Sequence, residues 1–214
     1  MFSKYLSLAT IAFAASFLTS CGGPDVAVLT KNQIKNGAVP GKAALPAPSA
    51  NLLAIAKSKP RDKHSMPVYS FNERNRVVRT TAYTCSEDDH LIYGSKNATG
   101  TNLRYTNNVR SAAADWSFYP VGTTFRIKGL PYLYVVDDYG SALTGTGTID
   151  IYKPTKGIMN QWGRRTVEVN IVQWGSFDRS ARLLSQRCKY AHCKQMFANI
   201  VRQRPDLKTA LVAR

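Results

Sequence analysis

From residue 77 onward, apolar residues recur in short runs, most of them β-branched or aromatic and each bounded by Gly, Pro or Asn. Such runs predict strands. They fall at residues 77–84, 111–114, 123–127, 133–136, 149–152 and 166–172. The last alternates well: Val167, Val169 and Ile171 take every second place between polar residues. That is the pattern of a half-buried strand. Pro120-Val121-Gly122 and Lys128-Gly129-Leu130-Pro131 supply turns. Residues 158–162 predict a short helix ended by Gly163. About six short strands with little helix between them predict a small barrel.

Outside this block the pattern changes. Residues 1–20 hold one Lys and a mostly apolar run too short for an ordinary spanning helix. They predict a signal peptide. Residues 21–66, rich in Gly, Ala, Pro, Lys and Ser, predict a flexible spacer, with a brief helical turn near 52–56. The barrel is expected over 67–175, with Gly175 closing it. Residues 176–203 predict a helix, and 176–214 form a C-terminal helical extension. Residues 85–96, with Glu87, Asp88, Asp89 and His90, predict an irregular solvated insertion.

Charge narrows the partners. The 214 residues carry 29 Lys and Arg against 13 Asp and Glu, a formal net charge of +16. An anionic partner follows: nucleic acid, anionic membrane or anionic wall polymer. Leu18-Thr19-Ser20-Cys21-Gly22 resembles the lipobox of bacterial lipoproteins. Lipidation at Cys21 would anchor the chain to a membrane. Gly22 after the Cys, by resemblance to the usual sorting rule, favours the outer membrane, facing the periplasm. That setting excludes nucleic acid and leaves peptidoglycan and anionic lipid. Cys85, Cys188 and Cys193 remain. The 188–193 pair is too far apart for a bond in a regular helix unless it breaks, so pairing of Cys85 with either is equally open. Cys188, His192 and Cys193 lack a fourth ligand and zinc spacing, so no metal or cofactor is expected.

With so few acids, their positions stand out. Asp137 and Asp138 end one strand, and Asp150 lies inside the next. A mid-strand acid is costly in a core and is expected to face a groove. Asp115 follows the strand at 111–114. Asp137 is expected to be a solvent-side neighbour of Asp138.

These residues sit in ordered motifs: Thr81-Ala82-Tyr83, Ala98-Thr99-Gly100-Thr101, Ala113-Ala114-Asp115 and Pro120-Val121-Gly122-Thr123, then Asp138 to Gly145, Ile149-Asp150-Ile151-Tyr152, and Gly163-Arg164-Arg165-Thr166-Val167-Glu168-Val169. Together they resemble the three-aspartate domain, a double-psi β-barrel module of bacterial cell-wall proteins such as membrane-bound lytic transglycosylase A. This chain departs from the pattern in having Tyr139 where Thr is common and Trp116 where Pro often stands. The resemblance implies a peptidoglycan-cleaving lytic transglycosylase in which Asp115, Asp138 and Asp150 converge. Asp150 or Asp138 would be the general acid/base, with Asp150 favoured. The others would tune it or hold the sugar. Thr99 and Thr101 are candidate sugar ligands, or satisfy their own turn. Tyr139 and Trp116 are candidate stacking faces, or packing residues. Arg164 and Arg165 are candidates for a muropeptide carboxylate. The alternative is a lipid-anchored protein that binds peptidoglycan without cutting it.

Overall fold

The computed structural model describes residues 45–86 and 94–207. The signal peptide, Cys21, most of the insertion at 85–96 and the end of the C-terminal extension lie outside the described residues. Six strands form β1 (Asn75–Tyr83), β2 (Val109–Ala114), β3 (Thr124–Ile127), β4 (Leu133–Asp138), β5 (Ile149–Tyr152) and β6 (Arg165–Gln173). They close into a barrel in the order β1-β5-β2-β4-β3-β6. The β1–β5 and β2–β4 pairs are parallel and the other four antiparallel.

Alternation assigns the two faces. Val78, Ala112, Ala114, Phe125, Ile127, Tyr134, Val136, Ile149, Ile151, Val167, Val169 and Ile171 fill the interior. Outward on β1 stand Val77, Arg79, Thr81 and Tyr83 in succession. Gly175 turns the chain out of the barrel, where a Cβ would collide with the carbonyl oxygens of Pro120 and Val121.

The helices are α1 (Ala50–Lys57), α2 (Lys156–Trp162), α3 (Phe177–Ser185) and α4 (Ala191–Gln203). None of the described helices is long and apolar enough to cross a membrane. The expected single helix over 176–203 is two. Leu184 and Cys193 are both fully buried, yet nine positions apart in one helix they would lie about half a turn out of phase. Breaking the helix at 186–190 lets both join the barrel core, with Ala181, Met196 and Ile200. Val121 N–H donates to Ser180 Oγ, and Gln203 Nε2 to the Ser117 carbonyl, tying these helices to the loop after β2.

The expected free spacer at 21–66 is also corrected over its described part. Leu52 and Ala56, four apart on α1, bury against Val77 and Met66. Ser49 N–H donates to Glu168, and Lys63 to the Thr144 carbonyl. Asp62 accepts the N–H groups of His64, Met66 and Gly147. Residues 45–66 are a strap packed on the barrel, because two apolar positions at helical spacing and one multiply bonded Asp offset the ordering entropy.

Candidate active site on the outer face

Strand register brings two of the three expected acids into one row. Thr81 on β1 pairs with Asp150 on β5, Asp150 with Ala113 on β2, and Ala113 with Asp138 on β4. Neighbouring strands lie about 4.8 Å apart, so the two aspartates are about 10 Å apart across the sheet, with Ala113 between them in register. Thr81 Oγ1 donates to Asp150 Oδ1 at 2.7 Å. Asp150 is half-buried while Asp138 is buried. Asp138 Oδ1 accepts the N–H groups of Ala98 and Tyr139, both at 3.0 Å, and Oδ2 accepts the Tyr83 hydroxyl at 3.1 Å.

Asp137 corrects the expectation of a solvent-side neighbour: it is buried, at 6 % exposure. A bulge explains this. Ala112 pairs with Val136 but Ala113 with Asp138, so Asp137 is the extra residue. The bulge suspends alternation and leaves both acids off the core face. Ser111 donates to Asp137 Oδ2 at 2.8 Å, while Oδ1 is buried without a hydrogen-bond partner among the described residues. Burial, with added repulsion from Asp138, pushes the Asp137 carboxyl up to about 6.

Tyr83 ties the acids together. Burial first, and then Asp138, Asp137 and Asp150, raise its phenol well above the usual range. Three carboxylates therefore act on one hydroxyl, which stays protonated and donates to Asp138. Tyr83, Ala113, Leu143 and Tyr152 form a small apolar cluster of their own on this face.

Asp115 is placed elsewhere. It is fully buried, and its oxygens accept Ser117 N–H at 2.7 Å, Ser117 Oγ at 2.6 Å and Gly145 N–H at 2.6 Å. Burial raises its carboxyl, and those bonds pull against the shift. Asp115 joins the loop after β2 to the loop before β5.

Thr99 and Thr101 are bonded within their own loop. Asn97 Oδ1 accepts the N–H groups and hydroxyls of both, at 2.8–3.2 Å. That loop presents Ala98 N–H to Asp138. Trp116 is fully buried and donates through Nε1 to the Asp138 carbonyl at 2.9 Å, so it has no face to offer a sugar. Tyr139 packs edge-on against Trp116 at 5.0 Å and accepts from Arg187 at 3.2 Å. Burial and the Cys193 thiol push its phenol up to about 12. It belongs to the contact with the C-terminal helices.

Arg164 is exposed. Arg165 caps α2, donating to the carbonyls of Trp162 and Gln161 at 2.7 and 2.8 Å. Among the described residues no group of three or more His, Cys, Asp or Glu is placed to hold a metal ion.

Residues missed in the sequence are Tyr83, Ser111, Asn97 and, in its buried role, Asp137. For Tyr83 a signal existed: it shares the outward parity of Thr81 on one strand. The bulge that turns Asp137 had no signal beyond two adjacent acids at a strand end.

Residues 110–173, from β2 to β6, match the family model of the 3D domain. Two curated proteins of Bacillus subtilis (strain 168) are similar to this chain. One is YabE, provisionally described as a cell wall shaping protein, 34% identical over 96 residues, which are 45% of this chain and 22% of YabE. The other is the cell wall-binding protein YocH, 32% identical over 96 residues, 45% of this chain and 32% of YocH. The chain thus spans less than a third of the length of either relative.

Proposed function

We propose that this protein cleaves peptidoglycan as a lytic transglycosylase, cutting the bond between N-acetylmuramic acid and N-acetylglucosamine. The observation that carries this reading is the cluster itself: Asp137, Asp138 and Asp150 act on one phenol, and Asp150 is the member that reaches solvent. Such chemistry needs proton-holding groups near neutral pH, and Asp137, at about 6, and Tyr83 supply that environment.

Asp150 donates its proton to the leaving glycosidic oxygen as the C1–O bond breaks. The substrate's C6 hydroxyl then attacks C1 and returns its proton to Asp150. A 1,6-anhydro product forms, and no water is consumed. Thr81 fixes the carboxyl for both transfers. Asp138 orders the 97–101 loop beside it, and Asp115 acts as a positioning residue. The barrel is of the double-psi type in this proposal. Lipidated Cys21 would hold the chain at the outer membrane, facing the periplasm.

A second reading, wall binding without cleavage, draws on the description of YocH as wall-binding and on the full engagement of Asp115 and Asp138 by internal bonds. Digestion of purified sacculi decides between them. Anhydro-muropeptides detected by mass spectrometry, and lost in Asp150→Asn, support cleavage. Sacculi that retain the protein but release no soluble product support binding alone.

A further inference from the structure

Two residues before Thr81 on the same outward face of β1, Arg79 opens a groove of about 320 Å³. The groove is lined by His64, Met66, Arg79, Arg164, Arg165 and Thr166. Register explains the meeting, since Arg79 pairs with Thr166 on β6, directly beside Arg165. The strap supplies His64 and Met66. Among the described residues no carboxylate lines the groove, although three guanidinium groups do. Asp62, the nearest acid in the strap's sequence, is already occupied by three backbone N–H groups. Arg79 Nε and Arg165 Nη1 are buried without a hydrogen-bond partner among the described residues. Buried guanidinium N–H groups left without an acceptor are costly. Guanidinium forks match carboxylate geometry, so the remaining N–H groups of these three side chains suit an oxyanion entering the groove. Met66 adds an apolar wall for an aliphatic stem.

Position selects the source of that oxyanion. A strand rises about 3.3 Å per residue, so Arg79 lies about 7 Å along β1 from the Thr81 that holds Asp150. A glycan strand seated at Asp150 carries its peptide stems within that reach.

We infer that the groove binds a carboxylate of the peptide stem carried by the glycan strand. This inference rests on the peptidoglycan reading above and gives it a second subsite. In the full chain, the groove recognises the stem and the acid face receives the sugar.

The test uses two probes: a disaccharide–tetrapeptide, and the same compound with its peptide carboxylates converted to primary amides. Titration calorimetry on the wild-type chain should show the acid form binding about tenfold tighter than the amide, as expected for a charge-assisted pair. Arg79→Gln combined with Arg164→Gln should erase that preference and leave affinity for the amide form unchanged. Arg165 is kept because it caps α2. Arg164→Gln alone, at an exposed position, should reduce the preference without any risk to folding. Equal affinity of wild type for both probes would overturn the inference. So would a preference that survives both substitutions, or equal competition by inorganic phosphate at the same concentration. Asp150→Asn should keep the acid-over-amide preference. If wild type discriminates the probes yet releases nothing from sacculi, the groove stands and the cleavage reading falls.

Discussion

Two regions hold the aspartates of this barrel, and they treat a carboxyl in opposite ways. Around Asp115, the loop after β2 and a glycine amide close over the acid and engage both its oxygens. On the β5–β2–β4 face, Asp150 accepts from Thr81 and keeps an opening to solvent. An Ala-x-Asp motif and an Ile-Asp-Ile motif look equally inviting in sequence. Their neighbours decide that one builds the scaffold and the other is available for chemistry.

That contrast can be broken from the closed side first. Removing residues 176–214 would strip Ala181, Leu184, Cys193, Met196 and Ile200 from the shared core. At 2–5 kcal/mol for each large apolar side chain lost, the domain should fail to fold, seen as loss of a cooperative urea transition. Asp115→Ala should cost about 3 kcal/mol, since it leaves buried N–H and O–H donors of Ser117 and Gly145 without an acceptor. Urea denaturation measures it.

The open face responds to pH instead. With Asp137 raised to about 6, the folded state binds a proton that the unfolded chain has released between about pH 4 and 6. Stability from this group is therefore present at low pH and lost as pH rises through about 6. Asp137→Asn should stabilise the protein by about 2 kcal/mol more at pH 7.5 than at pH 4, by melting or urea titration at both values. Lys153 gives the inverse case. Burial lowers its ammonium to about 7, so the unfolded chain holds the extra proton above that pH. Lys153→Met should raise the melting temperature more at pH 6 than at pH 9. The smallest change in folding should come from Asp150→Asn, under about 1 kcal/mol, because Asn keeps an acceptor for Thr81. The same variant should lose turnover of sacculi by about a hundredfold or more. A stability loss at Asp150 as large as at Asp115 would erase the distinction between the two regions.

Strands were legible because their inward residues are nearly all Val, Ile, Ala, Phe and Tyr, alternating except where a bulge intervenes. The helix break at 186–190 was not, since no Gly or Pro marks it; it follows from the phase mismatch between Leu184 and Cys193, visible only once both have a core to join. The strap hid behind its composition, as Leu52 and Ala56 are too few to stand out without Val77 beneath them. Of the site, Asp150 and Asp138 could be read from their motifs. The fate of Asp115 depended on Gly145, thirty residues away, and that of Asp137 on a one-residue slip between two strands.

Arg79, Thr81 and Tyr83 all come from β1, which precedes the matched span of residues 110–173. This stave stands between β5 and β6. A fragment trimmed to the recognisable segment would be a split cylinder with two raw, sticky margins, lacking the residues that align both candidate subsites. The smallest working piece of this chain must begin upstream of β1 and include the described strap, residues 45–66.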